Sequence, residues 1–155
     1  MSDASLAKTD RAVRIAFSLT LFLSALTGFA QMPIFKRYYI ADIPGLGWLA
    51  EYYVTYMLHY ISAIAFIVIA AYLVAGHLLA GRARAQLTAS GTVRAVLLFL
   101  ILATGSLLVF RNLPGYRYSP ELIVVLNFSH LGLVVVFLAA ALALKLAKKK
   151  WTRLP

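Results

Sequence analysis

Residues 51–80 read EYYVTYMLHYISAIAFIVIAAYLVAGHLLA, a run whose single formal charge, Glu51, stands at its first position. A helix rises about 1.5 Å per residue, and the hydrocarbon core of a bilayer is about 30 Å thick, so this run is long enough to cross and protrude. Three further stretches have the same character: about 13–30, 93–110 and 121–146. The whole chain has 155 residues, of which 63% are hydrophobic and 13% charged, with mean hydropathy +0.86. At roughly 20 residues per span plus connections, that length leaves no room for a separate soluble domain. The expected fold is therefore all-α: one integral membrane domain over 1–155, built as a four-helix bundle. The first stretch follows Lys8, Arg11 and Arg14 and ends in Gly28, Phe29 and Ala30, a pattern that also suits a signal peptide. It is read as a retained first span.

Composition narrows the chemistry. There is no cysteine, which excludes Cys-ligated iron–sulfur clusters, Cys-bound zinc, disulfides, thiol catalysis and covalently attached c-type haem. Histidine is the one strong nitrogen ligand left. The formal net charge of +10 would suit nucleic acid in a polar chain, but in one this apolar it fits basic loops against anionic headgroups. Eleven of the 15 basic residues fall in three segments: Lys8, Arg11 and Arg14; Arg82, Arg84 and Arg94; and Lys145, Lys148, Lys149, Lys150 and Arg153. The positive-inside rule then puts both termini and the middle loop in the cytoplasm, and the segments 31–51 and 111–121 on the outer side. Tyr38, Tyr39, Trp48, Tyr52, Tyr53, Tyr56, Tyr116 and Tyr118 gather at that outer end, as an aromatic belt or as a surface for a partner. Apart from the basic tail, no internal repeat or low-complexity segment stands out.

The three histidines, His59, His77 and His130, all lie in or at the end of a span. An ionisable side chain inside a membrane is a functional candidate by default, although a histidine can also serve as an interhelical hydrogen bonder. Span two enters from outside near Tyr52 and span four near Glu121, which puts His59 about 10 Å and His130 about 13 Å along their helices. Two imidazoles at one depth on parallel helices can hold an iron porphyrin between them. Ser62, Ala63, Gly132, Gly28 and Gly105 are small enough to make room for a flat macrocycle, and Arg37, Arg111 and Arg117 are candidate partners for its propionates. His77 follows His59 by 18 residues, about five turns on the same face, toward the cytoplasmic end where Arg14 begins span one. A His and an Arg there could bind and protonate a quinone carbonyl. All five carboxylates (Asp3, Asp10, Asp42, Glu51 and Glu121) lie outside the spans or at their edges. A proton-coupled exporter needs an acid within the membrane, so that class is disfavoured.

The opening Arg11-Ala-Val-Arg14-Ile-Ala-Phe17, running on to Leu26-Thr27-Gly28-Phe29, resembles the cytochrome b (gamma) subunit of respiratory formate dehydrogenases. The related subunits of nickel–iron hydrogenases and thiosulfate reductases share this opening. In that family it looks like Arg-x-x-His-Trp followed by Thr-Gly. Thr27 and Gly28 match the pair, whereas Arg14 and Ile15 replace the His-Trp. The resemblance implies a four-helix haem protein of the bacterial or archaeal cytoplasmic membrane. Such a protein takes electrons from iron–sulfur and catalytic partner subunits, docked on the outer face, and delivers them to quinone. Carried over by residue, it makes His59 and His130 the axial ligands of one haem b. The family's second haem would need histidines at Arg14 and Leu144, and both are missing, so a one-haem variant is expected. The competing expectation is a haem-free membrane anchor or assembly protein.

Overall fold

The computed structural model describes residues 3–79 and 86–153; Ala80, Arg82 and Arg84 lie outside the described residues. The long helices are α1 (Asp3–Ala30), α3 (Tyr52–Leu79), α4 (Ala89–Phe110) and α5 (Pro120–Leu146), with a one-turn helix α2 (Ile34–Arg37) after α1. Each of the four is long and apolar enough to cross a membrane, α1 over Arg11–Ala30. The chain is an all-helical, multi-pass membrane protein, and the ends of its spans fall within a few residues of those read from hydropathy. It divides into two compact units, Met1–Gly76 and His77–Pro155.

In the first unit, Pro33 stands three residues beyond the end of α1, where a ring without an N–H cannot extend the helix. The connection then folds through α2 and two short 3-10 turns, Ile40–Asp42 and Gly47–Ala50. Pro44 and Gly45 occupy the middle of a turn closed by Leu46 N–H to the Ile43 carbonyl at 2.9 Å. Gly45 has φ +87°, the left-handed value that a type II turn demands there. Leu49 is buried and anchors this connection.

The facing sides of α1 and α3 meet through a ladder of mostly small polar groups. Ser24 Oγ donates to Ser62 Oγ at 2.9 Å, Thr27 meets His59, and below them Phe17 and Phe66 pack at 5.1 Å between ring centroids. Thr27, Thr55 and Ser62 are buried, whereas Leu19, Phe22, Ile64 and Val68 are more than half exposed. A water-soluble helix has the opposite polarity. In lipid, exposed apolar side chains cost nothing, and helices associate through close packing and hydrogen bonds between small residues.

In the second unit, α4 and α5 pack antiparallel and close. Ser119 caps α5 by accepting from Leu122 N–H, and Pro120 takes the first helical position, where its missing N–H is not needed. Leu126 and Phe137 form the buried apolar part of α5. At the far end α5 stops in a Schellman motif: Lys149 N–H bonds the Leu144 carbonyl and Lys148 N–H the Lys145 carbonyl. Lys148 takes the left-handed conformation, φ 54°, a position usually filled by glycine.

The chain turns back there onto the start of α4. Strands β1 (Gln86–Leu87) and β2 (Thr152–Arg153) pair antiparallel. Thr88, the N-cap of α4, and Ser90 both donate to the Lys150 carbonyl, at 2.7 and 2.9 Å. Arg94, which charge counting assigns to a cytoplasmic loop, is instead inside α4 and 5% exposed. Its Nη2 donates to the Lys149 carbonyl at 2.8 Å, and its guanidinium lies 4.8 Å from the centre of the Trp151 ring. A Cβ at Gly91 would collide with the Trp151 carbonyl, so the close approach of the tail requires glycine there.

Candidate functional site

His59 sits midway along the buried stripe of α3, between Thr55 and Ser62. Its Nδ1 lies 2.9 Å from the Ser24 carbonyl and 3.2 Å from Thr27 Oγ1. A carbonyl can only accept, so Nδ1 carries the proton. Thr27 agrees with this assignment. Its one hydroxyl proton is given to the Leu23 carbonyl at 2.6 Å, which leaves its oxygen to accept from the imidazole. In the neutral ring the lone pair is therefore on Nε2.

His130, on α5, repeats the arrangement. Its Nδ1 lies 3.0 Å from Thr104 Oγ1, and Thr104 donates its own proton to the Leu100 carbonyl at 2.8 Å. With its proton so placed, the Thr104 oxygen can accept from the imidazole, as Thr27 does at His59. Each threonine is followed by a glycine on which the ring rests. A Cβ at Gly28 would stand 3.1 Å from His59 Cε1, and one at Gly105 would stand 3.1 Å from His130 Cε1. These two glycines give up their side-chain space to the imidazoles and not to a macrocycle. A Cβ at Gly132 would meet nothing within 4 Å, and Ser62 is occupied by its bonds to Ser24 and the His59 carbonyl.

Sequence reasoning values Gly28 and Gly105 only for their size, and Thr27 only as part of a family motif. It misses Ser24 and Thr104. A usable signal is present, because the dipeptide Thr-Gly occurs twice in the chain, at 27–28 and 104–105, once in each helix that precedes a histidine-bearing span.

The remaining candidates are placed as follows. Arg14 is exposed on α1 and lines a shallow cleft with Val13, Tyr72 and Leu73. His77, in the last turn of α3, is not among the residues lining that cleft. Arg37 ends α2, Arg111 follows the last residue of α4, and Arg117 is exposed in the α4–α5 connection. Tyr52, Tyr56 and Tyr60 stack along the start of α3, with centroids 5.8 and 4.7 Å apart, and Tyr56 donates to the Tyr60 hydroxyl at 3.0 Å. Tyr52, Tyr53 and Tyr56 thus lie in the first turns of α3. Among the described residues no three His, Cys, Asp or Glu side chains come together as a metal cluster. No family model, curated protein or solved structure matches the chain.

Proposed function

We propose that this protein is a haem b-carrying membrane anchor and electron-transfer subunit of a multisubunit oxidoreductase, with His59 and His130 as the axial ligands of one haem. The observation that carries this reading is the repeated clamp: two intramembrane histidines, each with Nδ1 held against the hydroxyl of a Thr-Gly pair on the preceding helix, at 3.2 Å for His59 and 3.0 Å for His130. Histidines that bind a metal characteristically donate their other ring N–H to a carbonyl or a similar acceptor, which fixes the tautomer and raises ligand basicity. Two histidine nitrogens are donors that would suit a porphyrin iron, with His59 and His130 as the residues that would hold it. When bound, such a group supplies reversible one-electron chemistry. The chain's own residues hold and orient the two imidazoles.

The family resemblance and the charge pattern support the wider setting. Both termini face the cytoplasm, in a bacterial or archaeal inner membrane. Iron–sulfur and catalytic subunits dock on the outer face, along the 31–51 connection. A quinone headgroup takes a hydrogen bond from Arg14 at its cleft and a proton by way of His77, from the cytoplasmic side. The alternative is a haem-free anchor, in which the Thr27–His59 and Thr104–His130 bonds simply join helices. A reduced-minus-oxidised spectrum and a pyridine haemochrome assay on the purified full chain separate the two. About one low-spin haem b per chain is expected for a single bis-histidine site. A haem-free chain isolated with its complex intact would reject the proposal, and a ratio near two would reject its one-haem part.

A further inference from the structure

We propose that the returning tail and the start of α4 form a built site for the phosphate of an anionic phospholipid, its positive charge supplied by the exposed Lys148, Lys149 and Lys150 and the buried Arg94. The site stands apart from the haem reading and shares no residue with it. The first observation is a charge without a counter-ion. Arg94 is 5% exposed, its Nη2 donates to the Lys149 carbonyl, and its buried Nε has no hydrogen-bond partner among the described residues. The Trp151 ring lies 4.8 Å from the guanidinium, a contact that attracts the cation without neutralising it. Burying an unpaired ion is strongly unfavourable, so buried charges are ordinarily paired. The second unit has one side-chain carboxylate, Glu121. It opens α5, whereas the tail follows the other end of that helix, about 37 Å away along the axis. The counter-ion therefore has to come from outside the unit.

The second observation is that the tail is not a loose basic arm. Three successive main-chain carbonyls are turned onto α4: Lys149 toward Arg94, Lys150 toward Thr88 and Ser90, and Trp151 toward the Thr88 N–H at 3.0 Å. The fastening uses no lysine side chain, and Lys145, Lys148, Lys149 and Lys150 all stay exposed. The left-handed Lys148 turns the chain back, so these charges gather at one end of the α4–α5 pair. That end is where two membrane-spanning helices reach the headgroup level, and an exposed Trp151 suits that level. Each basic residue near the surface favours an anionic lipid about fivefold. Holding the charges in place beforehand strengthens the attraction, because less freedom is lost when the phosphate arrives.

Trp151 can report on the site. The chain has two tryptophans, Trp48 and Trp151, so Trp48→Phe leaves one. The full-length protein in this background is reconstituted in phosphatidylcholine bilayers containing brominated phosphatidylglycerol or brominated phosphatidylcholine, and the quenching of Trp151 gives the relative affinity of the two lipids. A preference for the anionic lipid of about fivefold or more is expected. Gly91→Leu keeps every charge but forces the tail off the start of α4, and should remove most of that preference. The triple variant Lys148→Gln, Lys149→Gln, Lys150→Gln keeps the carbonyl fastening and should abolish it, with unchanged helical circular dichroism. Equal quenching by the two lipids in the Trp48→Phe protein overturns the proposal. So does a preference that Gly91→Leu leaves unchanged, which would reduce the site to diffuse attraction. Should Gly91→Leu fail to fold, Arg94→Gln takes its place: a lowered preference supports the site, and an unchanged one overturns it. A preference lost in excess inorganic phosphate, but kept in sodium chloride of equal ionic strength, would assign the site to free phosphate and overturn the lipid assignment.

Discussion

The first helix pair, α1 with α3, and the second, α4 with α5, solve the same local problem on different scaffolds. The first is joined by a long outer connection with its own helical turns, and its facing surfaces are lined by Ser24, Thr27, Thr55 and Ser62. The second is joined by the short segment 111–119, buries Leu126 and Phe137, and is fastened at its other end by the returning tail. Thr-Gly against histidine is common to both, down to a shared 3.1 Å approach at the glycine. Loops, core composition and fastening vary where only stability is at stake. The clamp is constant, as expected if the ring nitrogen it directs is the part that functions.

The most severe way to break the comparison is to remove a ring. His59→Ala and His130→Ala are each expected to abolish most of the bound haem, because either leaves an open axial position; full retention of a low-spin spectrum in both would refute the assignment. Gly28→Ala and Gly105→Ala come next. In a helix interior this change ordinarily gains about 1 kcal/mol, so a fall in haem content with normal helical circular dichroism would isolate the clash with the imidazole. The two variants should lose haem to a similar degree, since the approach distances are equal.

A smaller effect tests what only the first pair has. The cleft of Val13, Arg14, Tyr72 and Leu73 belongs to it alone. The Arg14→Ala, His77→Ala double variant should lower quinone reductase activity of the assembled complex about a hundredfold or more, the low end for loss of a positioned proton donor, while haem content stays unchanged. Unimpaired activity would move the quinone site elsewhere. The mildest is Arg94→Ala in the second pair. It removes one hydrogen bond and one cation–π contact, together about 1–3 kcal/mol. Faster proteolysis of the 148–153 tail is expected, with the His59 clamp undisturbed.

The fold was legible because a continuous apolar run of this length has few alternatives, and α3, α4 and α5 begin and end close to where the hydropathy changes. The fold-back of the tail was not legible. Charge counting places Arg94 and Lys148 by sign and not by neighbour, and Lys148 adopts a backbone conformation for which glycine is the usual sequence signal. Of the candidate site, the histidines stood out by rarity, but their partners did not. Two Thr-Gly dipeptides are a faint repeat in a background of Leu, Ala and Val, and spacing alone cannot say that Gly28 and Gly105 make room for a ring. Ser24 contributes a main-chain carbonyl to the clamp, and every residue has one.

The closure of the second helix pair works as a ruler. Arg94 meets Lys149 at one level and Thr104 meets His130 at another, on the same two antiparallel helices. One residue inserted between Arg94 and Thr104 would turn Thr104 by about 100° and shift it about 1.5 Å relative to the tail contacts. The pair could then keep its fastening or its clamp, but not both. Substitutions on the lipid-facing side of α4 are free to accumulate, whereas insertions and deletions between these two levels are not. A family of such chains would therefore drift widely in sequence while keeping the spacings 94–104 and 130–149 fixed.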